Sequence, residues 1–449
     1  MLKINTLSLY GFTYTLKQGL GVKAETTTPH YESFLHNLVQ LIGDEFKTSF
    51  SQETERKFCQ VDEVKVAQLP FTGRREQHTL EGEYRRWSEE DSWVLVFNAY
   101  TIASYDKGEA IAFLKCMQEF LQPPEKLQTI GHSLVLSAVL ESGTEGEIKE
   151  FAKLAYQHLI DNRGWKQEKE GVLWDGKIWQ FWRSQPQQWQ KIEPNSHLTL
   201  VFYRDRAQLD AGAKLLVNYW RPLWLSRDKI LWAYRNSRQL KSTLVGDYNT
   251  LNFAHPLSEL NLTELTEAIE TQFRFKQGLN SVEINQTTIE IHLNNYDNYR
   301  ETLIQNAQVN GPVKLDYLAE FSQQVQQTYL PQLQKDANSL RRCWDDIARL
   351  ADTINSLLEI RQAHRDRTFQ AVVGIFGIGL GTGGMVASAS SNYVEDIKGI
   401  SIGDTALDEM PFTRGWSDLH FVLGLSVFSG TLAGVVTLFI ILAWRFFRR

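Results

Sequence analysis

The chain has 449 residues, of which 43% are hydrophobic and 22% charged, so we expect two or three domains with their own cores. The formal net charge of −6 argues against a protein that coats nucleic acid. The three cysteines form no C-x-x-C pair, which argues against a disulfide scaffold or a cysteine zinc site. The first 20 residues lack a long apolar core and a small-residue cleavage site, so we expect no signal peptide.

Residues 1–310 alternate helix and strand signals and predict a cytoplasmic domain of the α/β (or α+β) class. An alternative division into two subdomains falls near residues 185–195. The strongest turn signal is Asp175-Gly176 between two apolar runs, which predicts a β-hairpin. Further strands are predicted at 92–105, 131–140, 197–203 and, as two short strands, 281–293. Helices are predicted at 29–42, 111–120, 145–160, 207–245 with a break at Pro222, and 262–275.

The histidines of this domain are scattered along the sequence and form no cluster. No H-E-x-x-H, P-loop, G-x-S-x-G or paired-carboxylate motif occurs. We therefore expect no enzymatic activity, and a membrane-attached enzyme is the least favoured hypothesis.

The segment Tyr219–Lys241 interleaves tryptophans with basic residues, and only Asp228 opposes their charge. One interpretation is a surface that binds a phosphate-bearing ligand, RNA or anionic lipid by charge and stacking. The candidate residues of that surface are Trp220, Arg221, Trp224, Arg227, Arg235 and Arg238. The interpretation that we favour is an amphipathic helix whose tryptophans pack inward while the basic groups extend to solvent.

Residues 313–368 predict a helical stalk or coiled coil. Its apolar residues recur at alternating steps of four and three, a heptad seam formed by Leu333, Ala337, Leu340, Trp344, Ile347, Ala351, Ile354 and Leu358. Pro331 is predicted to separate this helix from a shorter helix before it. The seam either packs against the protein's own domain or joins several copies. We favour self-association because the seam continues into an uncharged segment.

Two uncharged stretches, 369–391 and 419–444, are each long enough to cross a bilayer. The first contains G-x-G-x-x-G, the spacing of a dinucleotide-binding loop, but it lies within a charge-free run. We interpret the small residues as contacts between membrane helices, because glycines four apart let helices approach closely in lipid. These packing positions are Gly377, Gly381 and Gly383 in the first span and Ser426, Gly430 and Gly434 in the second.

The charges around the two spans predict their orientation. Arginines precede the first span and form the basic tail at 445–449, whereas the loop 392–418 between the spans is acidic. The positive-inside rule then places both termini in the cytoplasm and the loop outside a cell (inner) membrane, in a multi-pass protein. Glu395, Asp396 and Asp404 in this loop would concentrate cations at the entrance of a pore.

Extending the heptad phase of the stalk through the first span places one narrow, uncharged face toward the axis of a helix bundle. If the axis conducts, the residues that line it are Val372, Ile375, Gly379, Thr382, Val386 and Ala389.

The order of an α/β domain, a long stalk, two C-terminal spans, an acidic outer loop and a basic tail resembles the CorA family of divalent-cation transporters. The resemblance implies a homopentamer whose first span lines the pore and whose stalk transmits cytoplasmic metal occupancy to the gate. The Gly-Met-Asn triplet of that family is not intact here. The nearest match is Gly384-Met385-Val386, which lies earlier in the span and has valine in place of asparagine.

Two hypotheses follow. The first is a homo-oligomeric, CorA-like membrane channel for cations, gated by its cytoplasmic domain. It has no resident cofactor, and magnesium or another divalent cation is its substrate or regulator. The alternative is a membrane-anchored sensor, effector or scaffold of a stress or defence type. In that case the domain binds an anionic or nucleotide ligand, and the two spans serve for anchoring and oligomerisation.

Overall fold

The computed structural model describes residues 2–17, 24–61, 64–75, 78–89, 91–121, 129–159, 168–182, 196–250 and 262–362, and four further residues, 401–402 and 405–406. The chain divides into two compact units. The first comprises Met1–Asn252 and Thr266–Ile347, and the second comprises Phe253–Leu265 and Ala348–Arg449. Of the second unit, the structure describes the beginning of one helix, the end of another and the short strands β10 (Ser401–Ile402) and β11 (Thr405–Ala406), which pair antiparallel.

The first unit is a mixed α/β domain, as the sequence predicts. In the described residues, nine strands form one sheet in the order β2-β3-β4-β1-β5-β8-β7-β6-β9. Neighbouring strands are antiparallel except for the parallel pair β5 and β8. The strands are β1 (Lys3–Leu16), β2 (Val66–Arg75), β3 (His78–Ser88), β4 (Ser92–Asp106), β5 (Thr129–Ser142), β6 (Glu168–Leu173), β7 (Gly176–Trp182), β8 (Ser196–Tyr203) and β9 (Val313–Lys314).

Helices cover both faces of this sheet. One face packs against α1, α2, α3 and α4, and the other packs against α5, α6, α7, α8 and the start of α9. The helices are α1 (Ala24–Phe46), α2 (Gln52–Cys59), α3 (Lys107–Met117), α4 (Glu145–Leu159), α5 (Arg206–Leu215), α6 (Arg221–Thr250), α7 (Leu262–Gln308), α8 (Tyr317–Gln324) and α9 (Leu330–Gln362). Strands from both sides of residues 185–195, the alternative subdomain boundary, lie in this one sheet.

The hairpin predicted at Asp175-Gly176 is present between β6 and β7. Its two turn residues are Trp174 and Asp175, and Trp174 has a positive φ of 57°. The indole of Trp174 is buried and donates a hydrogen bond to the carbonyl of Ala307 at 2.7 Å. A tryptophan is therefore held in a left-handed conformation by its own packing rather than by the freedom of glycine.

Two prolines lie inside continuous helices where the sequence predicts breaks. Pro222 follows a π-helical turn at Leu216–Trp220, and Pro331 follows another at Val325–Tyr329. Each turn forms wider backbone hydrogen bonds, which accommodate a residue that lacks an N–H and whose ring would clash in a regular helix. The predicted separation at Pro331 is therefore wrong: the helical segment from Tyr317 continues through the wide turn into α9.

The two short strands predicted at 281–293 are also wrong, because these residues belong to α7. Val282, Ile289 and Leu293 are buried together with Asn285, at spacings of three and four that fit one helix face. The alternating β-branched residues that suggested strands include Ile284 and Ile291, which are exposed instead.

The described part of the α9 seam packs against its own chain. Ala337, Leu340 and Ile347 form a small core with residues of α6 and α7, namely Leu244, Phe275, Leu279 and Val282. This packing agrees with the interpretation in which the seam contacts the protein's own domain. The start of the predicted stalk is not helical, because Val313–Lys314 forms strand β9 and pairs with β6.

No helix in the part of the chain that the structure describes is long and apolar enough to cross a membrane. The two uncharged stretches, 369–391 and 419–444, and the tail 445–449 lie outside the described residues. The same applies to the loop 392–418 apart from β10 and β11.

A buried amide on α7 leads to a first prediction. Asn285 is 1% exposed, and neither atom of its amide has a hydrogen-bond partner among the described residues. Burying an amide without a partner costs about 1–3 kcal/mol. Asn285→Leu should therefore raise the free energy of unfolding by about 1 kcal/mol or more in chemical denaturation. Gln286→Leu, at a partly exposed neighbour, is the control and should change it by less than about 0.5 kcal/mol.

Candidate functional site

The basic and aromatic segment predicted from the sequence forms the end of a π-turn and the first two thirds of α6. Trp220 and Trp224 are buried against the sheet, and Trp224 packs edge-on to Phe12 of β1 at 5.4 Å between ring centroids. Trp232 is partly buried against the same core. The tryptophans therefore pack inward, as in the interpretation that we favoured, and are not arranged as an exposed stacking surface.

Arg227 and Asp228 form a buried ion pair where α6 crosses the sheet. Their side chains are 4% and 0% exposed, and Arg227 Nη1 donates to Asp228 Oδ1 at 2.9 Å. Asp228 lies against β5 at Gly131, where a Cβ atom would overlap the carboxylate. Only glycine at position 131 lets the carboxylate approach the strand this closely.

Side chains from four other elements surround the Arg227 guanidinium. His197 of β8 accepts hydrogen bonds at Nδ1 from Ser133 of β5 at 3.2 Å and from Arg227 at 3.5 Å. Arg227 also lies over the ring of Phe321, 5.5 Å from its centroid. The phenol groups of Tyr296 and Tyr329 also interact electrostatically with this guanidinium. The pair therefore lies where the sheet, α6, α7 and the segment leading to α9 meet.

The electrostatics of this cluster fix the protonation state of His197. Burial, followed by the charges of Arg227 and His132, lowers the pKa of His197 well below its usual value. The ring is therefore neutral, carries its proton on Nε2 and accepts at Nδ1. Burial also lowers the pKa of Arg227, while Asp228 opposes that change and keeps the guanidinium charged.

Serine, histidine and aspartate occur together here, but the arrangement does not fit a hydrolase. A nucleophilic serine has to reach a substrate, whereas Ser133 and His197 are both completely buried. Arg227 also approaches the same histidine nitrogen as the serine hydroxyl. This arrangement suits a structural joint and does not favour acyl transfer.

The N-terminal half of α6 is attached to the sheet by two further ion pairs. Arg221 Nη1 contacts Glu89 at 2.6 Å, and its guanidinium lies 4.9 Å from the ring centroid of Trp87. Lys229 contacts Asp91 at 2.5 Å. Burial favours protonated Asp91, but Lys229 outweighs it and lowers the pKa of this carboxyl group. Both acids lie in the connection between β3 and β4, so these pairs fix the N-terminal half of α6 to that part of the sheet.

The C-terminal half of α6 is attached to α9. Arg238 and Lys241 both form ion pairs with Asp336, whose side chain is 2% exposed. Gln332 donates a hydrogen bond to the same carboxylate at 2.9 Å. We call these four residues the Asp336 clamp. One buried anion on α9 thus binds two cations of α6. The side chain of Arg238 is 18% exposed and that of Lys241 is 28% exposed.

Two aromatic contacts extend this attachment on either side of the clamp. Tyr234 of α6 stacks on Tyr329, in the π-turn before α9, with 4.3 Å between ring centroids. About two turns beyond Lys241, the Tyr248 hydroxyl donates to Asp346 of α9 at 3.0 Å. Arg235, between Tyr234 and the clamp, is partly buried, and burial lowers its pKa to about 10. The N-terminal half of α6 is therefore attached to the sheet, and its C-terminal half is attached to α9.

Sequence reasoning identified α6 but not the acids that bind it. Glu89 and Asp91 belong to a short acidic run and Asp336 stands alone, and no spacing rule connects any of them to residues 221–241. Arg221, Arg227 and Arg238 of the predicted ligand surface instead form ion pairs within the chain.

The other predicted site residues lie outside the described part of the chain. They are the pore-lining candidates Val372, Ile375, Gly379, Thr382, Val386 and Ala389, the helix-packing residues Gly377, Gly381, Gly383, Ser426, Gly430 and Gly434, and the loop acids Glu395, Asp396 and Asp404. Within the described ranges, no group of three or more histidine, cysteine or acidic side chains could hold a metal ion.

Comparison with known proteins gives no relative. No protein-family model, curated protein or solved structure matches this chain.

Two buried histidines predict how stability depends on pH. Burial lowers the pKa of His132 to about 4, and burial together with Lys229 lowers that of His292 to about 4. Histidines of the unfolded chain titrate near about 6.5, so the unfolded chain binds more protons between these values. The free energy of unfolding should be highest above about pH 6.5 and fall toward pH 4, by about 3 kcal/mol for His132 alone.

Urea denaturation of the full chain in detergent, followed by tryptophan fluorescence at several pH values, measures this dependence. His132→Asn is the informative variant, because its amide can still accept the hydrogen bond that joins Thr13 to the histidine ring. The variant should show a flatter dependence below pH 6.5. An unchanged slope would mean that His132 does not carry the effect.

Proposed function

We propose that this chain is a homo-oligomeric membrane channel for cations, CorA-like in arrangement, whose α/β domain controls the pore through α9. The domain lies in the cytoplasm, residues 369–391 and 419–444 cross the membrane, and the acidic loop lies outside. Magnesium or another divalent cation is the substrate or regulator.

One observation carries the proposal: α9 is fixed to the sheet domain through α6 and continues unbroken toward the first uncharged stretch. The described part of α9 extends to Gln362, seven residues before that stretch begins at residue 369. The Asp336 clamp binds α9 to α6, and the ion pairs Arg221–Glu89 and Lys229–Asp91 bind α6 to the sheet. A change in the sheet domain would therefore move the helix that leads to the first span.

In the proposed channel, the first span supplies the pore and the small residues of both spans supply the helix contacts. Thr382 is the one hydroxyl near the middle of the proposed pore face. Glu395, Asp396 and Asp404 would raise the local concentration of cations at the outer mouth. The absence of the Gly-Met-Asn triplet means that selectivity for Mg²⁺ over other cations is a separate question from conduction.

The alternative function, a membrane-anchored sensor with a ligand surface on α6, has less support. That surface needs basic groups available to an anion, and three of its arginines already bind carboxylates within the chain.

Cation flux into liposomes that contain the purified full-length protein tests the proposal. We expect flux from the assembled oligomer, and a tight bilayer that contains correctly assembled protein would contradict the proposal. In a Cys343→Ser background, Thr382→Cys should make the flux sensitive to a charged thiol reagent. Leu438→Cys in the second span is the control and should remain insensitive. Equal sensitivity of both variants would contradict the assignment of the pore face.

A further inference from the structure

An uncharged row of side chains runs along the exposed side of α7. Six large apolar side chains are exposed in the described part of the chain, and four of them, Phe273, Ile284, Ile291 and Tyr299, belong to α7. Phe273, Ile284 and Ile291 are 46%, 42% and 53% exposed. They belong to a row with alternating steps of four and three, which consists of Phe273, Gln277, Asn280, Ile284, Thr287, Ile291, Asn294 and Asn298. We call this row the α7 stripe.

The spacing of the α7 stripe is that of a coiled-coil seam. Steps of four and three keep residues on one line of a helix, where they can face a parallel partner over many turns. The opposite side of α7 already packs in the two cores that it shares with the sheet and with α6 and α9. The stripe is therefore a second helix face, additional to the one that folds the domain.

The charged residues beside the stripe are engaged within the chain. Glu283 binds Arg341, and Lys276 lies over the ring of Trp344 at 5.9 Å. The other three charged residues between 273 and 298 also have partners within α7 or α8: Arg274 with Thr271, Glu290 with Gln286, and Asp297 with Arg300 and Ser322. None of these charges lies on the stripe itself, so a strongly charged partner would find no complementary charge along it. The surface favours a partner that is itself uncharged.

A second copy of the stripe meets this requirement. Each asparagine or glutamine amide carries both a donor and an acceptor, so it can pair with the same side chain of an identical helix. In an in-register parallel pair, Asn280 and Asn294 would face their counterparts, and Ile284 and Ile291 would do the same. Buried asparagines in a seam also select one register, because any shift pairs an amide with an apolar side chain.

The size of the stripe indicates where such pairing occurs. Residues 273–298 span about 39 Å of helix with a face about 10 Å wide, or roughly 400 Å² per chain. Stable complexes of free proteins bury about 800 Å² per partner, so the stripe alone would associate weakly. Chains held in one membrane meet at a high effective concentration and in parallel orientation, which removes this deficit.

We infer that the α7 stripe is the contact through which two copies of this chain pair in parallel, with identical residues facing each other. The inference rests on the proposed function, because the membrane spans supply the orientation and the local concentration.

Disulfide cross-linking of the full-length protein in liposomes tests this contact. In a Cys343→Ser background, single cysteines replace Ile284 or Ile291 on the stripe. Arg274→Cys and Glu290→Cys are the matched controls, since both side chains are exposed and lie about 100° to either side of the stripe on the helical wheel. Under a mild oxidant, the stripe cysteines should give at least about five times more covalent dimer than the controls.

Size-exclusion chromatography with light scattering on the same samples distinguishes the two possible failures. Equal or absent cross-linking in protein that is still oligomeric overturns the α7 contact and leaves the proposed channel standing. Absent cross-linking in protein that is strictly monomeric overturns both. Cross-linking of Ile284→Cys to a different protein or to another segment of its own chain also overturns the contact.

Discussion

Asp228→Ala is expected to lower the free energy of unfolding by about 3–5 kcal/mol, the usual cost of leaving a buried charge without its counterion. Asp228 is completely buried, and the guanidinium of Arg227 beside it is nearly so. Removing the carboxylate leaves a cation among His197, Phe321 and two tyrosines, none of which carries a negative charge at neutral pH. Because Arg227 also contacts His197 of β8 and Asp228 packs against Gly131 of β5, the loss should also loosen the contact of α6 with the sheet.

Chemical denaturation of the full chain in detergent measures the effect. Asp210→Ala is the control: Asp210 also pairs with an arginine, Arg206, but both side chains are exposed, so the change should be below about 0.5 kcal/mol. A double variant, Arg227→Met with Asp228→Leu, should recover most of the lost stability because no charge remains buried. Equal losses in the double and single variants would mean that the ion pair is not the cause.

Asp336→Ala is expected to release α9 from α6 and to cost about 2–3 kcal/mol. This value is below that for Asp228 because Arg238 and Lys241 are partly exposed and can reach water when their partner is removed. The two cations would then face each other at the helix contact without the anion between them. Amide exchange in α9 near residue 336 should become faster, whereas exchange in β1 and β5 should not change.

Asp345→Ala is the matched control for this prediction, since Asp345 is exposed on the same helix. It removes one negative charge from α9 without touching α6. If both variants accelerate exchange in α9 equally, the effect comes from the charge of the helix and not from the Asp336 clamp.

The sequence predicted the α/β class of the first unit and most of its helices, and the errors have identifiable physical causes. The alternating β-branched residues around Ile284 and Ile291 have the pattern of a strand. Val282, Ile289 and Leu293 have the spacing of one helix face, and their burial in the folded protein decides in favour of the helix. The central strand β1 was missed because its two faces are both apolar and a bulge after Asn5 shifts its alternation.

The candidate site was predictable as a helix but not as a set of contacts. Tryptophans and arginines at helical spacing identified α6, and the same pattern fits either an exposed surface or a buried joint. The choice between them depended on Asp228 and on acids far away in the chain, such as Asp336, 98 residues from Arg238. Such pairings arise from topology, which local spacing does not encode.

Single-channel recording of the full-length protein, wild type against Asp336→Asn, tests the central claim most directly. If α9 transmits the state of the sheet domain to a pore in the first span, the substitution should change the fraction of time that the channel is open. The conductance of the open channel should stay the same, because residue 336 lies outside the span. Identical gating in both proteins, or no channels at all from assembled protein, would contradict the account.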